Sequence, residues 1–233
     1  MMSSRSSLRL SVVLAVPCGF LSSVDVSAYT TQVFTGATAD ASAIALFPSN
    51  GPMQTAEGRI GDNTVGGATF ELDWHRYANS AVNTTGQFAY TSGTSYNFTV
   101  TYDPTQPVLS DKLTYAFNTG GSTVTLKPTY LDSTEAANLT LANSLWFRVF
   151  AGGTSTTTAS SASLSNLSLT PTGSSAISFI ASTATGSGTV PATTDTVFQG
   201  LSLGGGFVLT GTASFAWSGT IPSTGPTHEE RCG

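Results

Sequence analysis

Charged side chains are scarce in this chain, at 9% of 233 residues, and no basic run occurs anywhere along it. Eight Lys and Arg stand against thirteen Asp and Glu, for a formal charge of −5 and a pI near 4.7. Phosphate binding needs clustered Lys and Arg, so nucleic acid and anionic membrane are excluded as main partners. Cysteine is almost missing: only Cys18 and Cys232 occur. If Cys18 leaves with a cleaved leader, no intrachain disulfide can form, and the fold must rest on burial and ladder hydrogen bonds. The two histidines, His75 and His228, with one cysteine in the mature chain, disfavour zinc. Long apolar runs are also lacking, since Leu10 to Leu21 falls far short of the roughly 20 residues of a spanning helix. Helical periodicity is nearly absent. One short helix is expected at Ser133 to Asn143, with Ser133 as N-cap and Glu135 in the first turn.

Thr, Ser, Gly and Ala dominate what is present, and 10% of the residues are aromatic, more than a disordered chain would carry. Two-residue alternation recurs. Ala68, Phe70, Leu72 and Trp74 alternate with Thr69, Glu71, Asp73 and His75. Tyr96, Phe98, Val100 and Tyr102 alternate with Asn97, Thr99, Thr101 and Asp103. Leu113, Tyr115 and Phe117 lead through Gly120-Gly121 to Val124 and Leu126, a hairpin pattern. Phe88-Tyr90, Leu167-Leu169, Ile177-Phe179 and Val197 to Leu203 read as further strands, and Val33-Phe34 as an edge strand. Leu145 to Phe150 is apolar on both sides apart from Arg148, as a central strand covered twice would be. Gly206 to Gly225 begins as a closing strand, with Phe207, Leu209, Ala213, Phe215 and Trp217 on one face. The Thr/Ser-rich stretches 152–163 and 182–196 read as long surface loops. Many short strands divided by Gly, Pro, Asn and Ser predict an all-β, antiparallel β-sandwich of jelly-roll-like form.

The N-terminus has the order of a secretory signal. Arg5 and Arg9 supply the positive region, Leu10 to Leu21 the apolar region, and Val26-Ser27-Ala28 a small-residue cleavage site. The expected layout is a signal peptide at 1–28, one β-sandwich domain at 29–220 and a tail at 221–233. The mature chain would then be exported, with no membrane span.

Several segments taken together resemble the choice-of-anchor W domain, a family of exported bacterial surface proteins. They are AEGRIGD at Ala56 to Asp62, GGATFELD at Gly66 to Asp73, YNFTVTYD at Tyr96 to Asp103, LWFRVFA at Leu145 to Ala151 and GFVLTGTASFAWSGT at Gly206 to Thr220. The resemblance implies a surface-destined β domain and brings no catalytic residues. Members typically end in an anchoring signal, an apolar helix and a basic tail. Here IPSTG at Ile221 to Gly225, which has the form of a sorting pentapeptide, is followed only by PTHEERCG, so it reads as a linker.

Three groups of residues could carry chemistry. Glu71, Asp73 and His75 share one strand face, with same-face side chains about 7 Å apart. This looks like the Glu-x-Asp-x-Glu strand of jelly-roll glucanases, with Glu71 and Asp73 as the working carboxylates, but His75 stands where the acid/base Glu belongs; a solvated strand face is the plainer reading. Asp62 and Asn63 in a Gly-bounded turn, and Asp103 at a strand end, could offer oxygen to Ca²⁺, the one cofactor considered. Trp146 and Arg148 could form an open glycan-binding face. The resulting expectation is a structural or interaction module at the cell surface or in the extracellular matrix, with no defined catalytic activity. Its partners would be extracellular polysaccharide or other surface proteins. A carbohydrate-binding module and a glucanase-like hydrolase are the alternatives.

Overall fold

The computed structural model describes residues 9–15, 29–47, 52–60, 63, 71–76, 79–152, 159–187, 192–219 and 221. Fourteen strands and two short helices follow in chain order. They are β1 (Arg9–Ala15), β2 (Thr30–Thr35), α1 (Ala39–Ile44), β3 (Pro52–Arg59), β4 (Leu72–Arg76), β5 (Asn79–Gly86) and β6 (Thr94–Tyr102). After them come β7 (Leu113–Asn118), β8 (Thr123–Leu126), α2 (Ser133–Leu139), β9 (Ser144–Ala151), β10 (Ala159–Pro171), β11 (Ile177–Ser178), β12 (Ser182–Ser187), β13 (Ala192–Gln199) and β14 (Phe207–Trp217).

Two antiparallel sheets result, in an all-β sandwich. Sheet A has the order β2-β13-β9-β1-β3-β4-β5, and sheet B the order β11-β10-β14-β6-β7-β8, with β12 also paired to β10. Alternation sets the inward faces. Leu145, Phe147, Val149, Leu72 and Trp74 from sheet A meet Phe98, Val100, Tyr115, Phe117, Leu209 and Phe215 from sheet B in one buried core. Fully burying each large apolar side chain stabilises by about 1.5–3 kcal/mol, so this shared core carries much of the stability of the sandwich. Aromatic rings concentrate in the core. Tyr90 packs edge-on to Phe215 at 4.6 Å and to Tyr96 at 5.3 Å, and Phe179 lies 4.3 Å from Phe198 at another place in it.

The closing strand β14 sits between β10 and β6, as a packing strand of that length should. Its Gly211 has a packing reason: a Cβ there would lie 2.5 Å from the Phe98 ring and 2.7 Å from Leu167. Leu167 reaches that spot because β10 bulges between Ser165 and Ser168, where Asn166 takes φ +51.

Five differences separate the structure from the sequence reading. The short helix α2 is capped by Asp132, not Ser133: Asp132 accepts from the Glu135 N–H while Glu135 accepts from the Asp132 N–H, a capping box. Helix α1 and strand β3 escaped the periodicity test. On β3 the residues between Thr55, Glu57 and Arg59 are Gln54, Ala56 and Gly58, too small or too polar to register as an apolar face. Gln54 is nonetheless buried, accepting from Trp74 Nε1 at 3.0 Å and from Tyr130 Oη at 2.8 Å. The stretches read as long loops instead contain strand at 159–163, 182–187 and 192–196. Phe88 and Tyr90 are buried in an irregular segment after β5 rather than in a strand.

The fifth difference concerns the N-terminus. Arg9–Ala15, within the segment read as an export signal, lies in the interior of sheet A rather than ahead of a domain that starts at 29. It pairs with β3 from Arg9↔Arg59 to Ala15↔Pro52 and with β9 from Arg9↔Phe150 to Ala15↔Ser144. An apolar run of this length suits a buried strand as well as a signal core, and periodicity cannot separate the two. Among the described residues, no helix is long and apolar enough to cross a membrane.

A chain begun at Tyr29 would leave β3 and β9 with facing unpaired edges. At a net 0.5–1.5 kcal/mol per ladder bond, its urea midpoint is expected to correspond to a loss of several kcal/mol against the full chain. A synthetic peptide covering 7–17 is expected to restore most of it. Equal midpoints would mean that β3 and β9 close on one another directly.

Candidate functional site

Most of the charge that the chain carries into its interior sits on the outer face of sheet A, in two places. The first is built by β3 and β4. Their register sets Glu57 opposite Asp73 and Thr55 opposite His75, while the Arg59 N–H donates to the Glu71 carbonyl just beyond the end of β4. Because strand side chains alternate, Thr55, Glu57 and Arg59 share a face with Glu71, Asp73 and His75. All six are buried, Glu57 at 5%, Asp73 at 2% and His75 at 4% exposure. The solvated strand face expected from the sequence is therefore corrected: these groups lie out of water.

His75 Nδ1 lies 2.9 Å from Asp73 Oδ2. Burial pushes the Asp73 carboxyl above the usual carboxylate range; His75 opposes that shift by hydrogen bond and charge, and Arg59 by charge, while Glu57 adds to it. One ligand atom from each of Glu57, Asp73 and His75 falls within 4.8 Å of the others, a spacing that could hold a metal ion. Glu71 points its chemistry elsewhere: its Oε1 accepts from the Asn63 N–H at 2.9 Å. Glu71 is 0% exposed, so a polysaccharide has no access to Glu71 or Asp73 in this conformation, and the glucanase assignment loses its geometry.

The second place lies under α1. Asp195 on β13 is directly opposite Arg148 on β9. Trp146 Nε1 donates to Asp195 Oδ1 at 2.8 Å, and Arg148 pairs with Asp40 of α1 at 2.7 Å. Phe47 stacks on Trp146 at 5.9 Å, and Ala43 and Val197 complete this small cluster. Trp146 is thus fully buried and its indole N–H is used. The open glycan-binding face expected at Trp146 and Arg148 is corrected on those grounds: the helix covers the tryptophan, and the arginine is held by two aspartates. Burial raises the Asp195 carboxyl to about 6, against the pull of Arg148 and the Trp146 hydrogen bond.

The Ca²⁺ candidates are not brought together. Asp62 lies outside the described residues. Asn63 clips the Tyr90 backbone, its Nδ2 donating to Tyr90 O at 2.9 Å and its Oδ1 accepting from the Tyr90 N–H at 2.6 Å. Asp103 closes a turn, accepting from Thr105 N and Oγ1 on one oxygen and from Gln106 Nε2 on the other. These bonds hold its carboxyl below the usual range. Both side chains serve the local backbone, the ordinary use of Asn and Asp in turns.

Glu57, Arg59, Asp40 and Asp195 were missed in the sequence. A signal for the first two exists in hindsight, since Thr55-x-Glu57-x-Arg59 mirrors the polar alternation of Glu71-x-Asp73-x-His75. Asp195 had the weaker signal of being the one charged residue in a Thr/Ser stretch that runs into Val197-Phe198.

Compared with family models, with curated proteins and with solved structures, the chain matches none.

The Asp195 shift carries a sign. Its folded pKa, about 6, lies above the unperturbed 3.8, so the folded state holds a proton that the unfolded chain has released between those values. Stability therefore falls as pH rises through that window, by about 3 kcal/mol, and levels above about pH 6. Urea titrations across pH 4 to 8 are expected to show this fall, and Asp195→Asn to reduce it.

Proposed function

We propose that this chain is an exported β-sandwich of the choice-of-anchor W type, with a structural or interaction role at the cell surface or in the extracellular matrix. The observation that carries this reading is the outer face of sheet B. Along β6 the outward residues are Ser95, Asn97, Thr99 and Thr101; along β14 they are Val208, Thr210, Thr212, Ser214 and Ala216; along β10 they include Ser161, Ser163, Ser165, Ser168 and Thr170. All are exposed or half-buried, and none is charged. The register sets them in cross-strand rows, such as Ser168-Thr210-Thr99 and Ser163-Ser214-Ser95.

Hydroxyls in those rows bond one another. Ser95 and Ser214 are 2.6 Å apart, Thr212 donates to Asn97 Oδ1 at 3.0 Å, and Asn166 donates to Thr212 at 3.3 Å. A sheet face satisfied in this way needs no charge to stay hydrated, and its interactions are insensitive to salt, which suits an extracellular surface of varying ionic strength. Within each row the hydroxyls follow at the strand spacing of about 4.8 Å, and they offer repeating donors and acceptors to a hydroxyl-rich polymer. That favours the carbohydrate-binding reading as the second one, through the hydroxyl face rather than through Trp146.

Fractionation of bacteria expressing the full chain tests export: the protein is expected outside the cytoplasm, and an Arg5→Glu/Arg9→Glu variant inside it. A wild-type chain retained in the cytoplasm would sink the reading. N-terminal sequencing of the exported protein then shows whether β1 stays with the domain. For the second reading, retention on a neutral polysaccharide should be unchanged by added salt and should drop at least tenfold in Thr99→Lys/Thr210→Lys, which places two charges in the middle of the face. Absence of retention on every neutral glycan tried would remove it.

A further inference from the structure

We propose that Glu57, Asp73 and His75 form a binding site for a divalent transition-metal cation, with Zn²⁺ as the fitting occupant. Three features of the site argue for it. The donors are already gathered: their ligand atoms lie within 4.8 Å of one another, and a tetrahedral ion with bonds of about 2.0–2.2 Å sets its ligands about 3.4 Å apart. Closing the cluster on a metal thus asks the side chains to draw together by at most about 1.5 Å. Secondly, Glu57 and Asp73 are a directly opposed cross-strand pair of like charge, a pairing that destabilises even at a surface and more so when both are buried. Thirdly, one oxygen of Asp73 faces His75, while the other, Oδ1, is buried with no hydrogen-bond partner among the described residues. A buried carboxylate oxygen in that state costs about 1–3 kcal/mol or more, and a bound cation is one way to satisfy it.

The charges nearby set the balance. The carboxylates of Glu57 and Asp73 lie together on this face, and His75 and Arg59 act on Asp73 with the opposite sign. Arg59 lies near enough to act on Asp73 and competes with the metal for it. The donor set decides the ion: one imidazole with two carboxylates suits Zn²⁺, whereas Ca²⁺ takes six to eight oxygens and Mg²⁺ keeps most of its waters. A count of histidines and cysteines disfavoured zinc because it looks for ligands of those two types. Here carboxylates supply two of the three donors, and only the strand register brings Glu57 to the other two.

The test uses the full chain, stripped with a chelator, in a Cys18→Ser/Cys232→Ser/His228→Gln background so that thiols and the tail histidine cannot bind metal. Titration with Zn²⁺ is expected to saturate at one equivalent and to raise the thermal midpoint. Co²⁺ is expected to give the visible absorption of a four- or five-coordinate site. Asp73→Asn and Glu57→Gln should each weaken binding at least tenfold, and His75→Gln should abolish the Co²⁺ spectrum. Failure of the starting chain to bind either ion saturably overturns the proposal without any variant having to fold. So does saturable binding that Asp73→Asn leaves unchanged.

Discussion

Among the described residues, sheet A is continuous only through the backbone of Arg9–Ala15. On one side lie β9, β13 and β2, on the other β3, β4 and β5, and every ladder bond that joins the halves runs through β1. The charged clusters sit on opposite sides of that strand: Glu57, Asp73 and His75 on β3 and β4, and Arg148 with Asp195 on β9 and β13. The spacing between them is therefore a property of β1. A segment whose apolar text suits export so well also holds the sheet together, and the two roles make different demands. Export reads only its hydrophobicity and flanking charge, whereas the sheet reads its register with both neighbours. The second demand is the stricter, because a one-residue slip would turn every side chain of a strand to the opposite face.

The two outer faces of the sandwich solve the same problem in opposite ways. On sheet B, Ser, Thr and Asn bond across strands and meet solvent without charge. On sheet A the outer face of β3, β4, β9 and β13 carries buried charge, with α1 over Trp146, and on the inner side near α2 Arg76 grips Glu135 through two nitrogens and Gln54 links Trp74 to Tyr130. Buried ion pairs of this sort give little net stability, since desolvation offsets attraction, but they penalise misplacement of a single partner heavily. Sheet A is thus the specified face, and sheet B the tolerant one. An interaction surface is better placed on the tolerant face, where side chains can change without unsettling the fold.

The fold class was legible because inward faces carry large apolar residues at a strict period of two: Tyr96 to Tyr102, Leu113 to Phe117 and Phe207 to Phe215 all lie where that pattern puts them. Strand β3 was not legible, because its inward positions are Gln54, Ala56 and Gly58. Gly58 sits in a tight place: a Cβ there would lie 3.1 Å from the Tyr90 hydroxyl, so the ring would have to give by a few tenths of an ångström. Half of the β3–β4 cluster could be read, since Glu71, Asp73 and His75 stand on one strand, but Glu57 enters only through pairing, a relation that no local pattern contains. Trp146 misled for a related reason. Its neighbour Arg148 suggested an open face, and the six-residue helix that closes it has too little apolar text to announce itself.

The two buried acidic groups also differ in what balances them. Asp195 has an arginine directly opposite, an indole donor, and a second aspartate to share the arginine's charge. Burial still raises its pKa, because the nearest guanidinium nitrogen, Arg148 Nε, is 3.9 Å away, while Nη1 of the same arginine pairs with Asp40. Asp73 has a second carboxylate directly opposite instead, with the compensating groups, His75 and Arg59, two residues along each strand. In a medium of low polarizability, charge must be balanced at contact distance, since attraction falls with separation while the cost of desolvation does not. The Asp195 site meets that condition incompletely through its own side chains. The Glu57–Asp73 pair sets two buried carboxylates directly opposite one another beside a histidine, and that arrangement is what separates a candidate cation site from an ordinary buried ion pair.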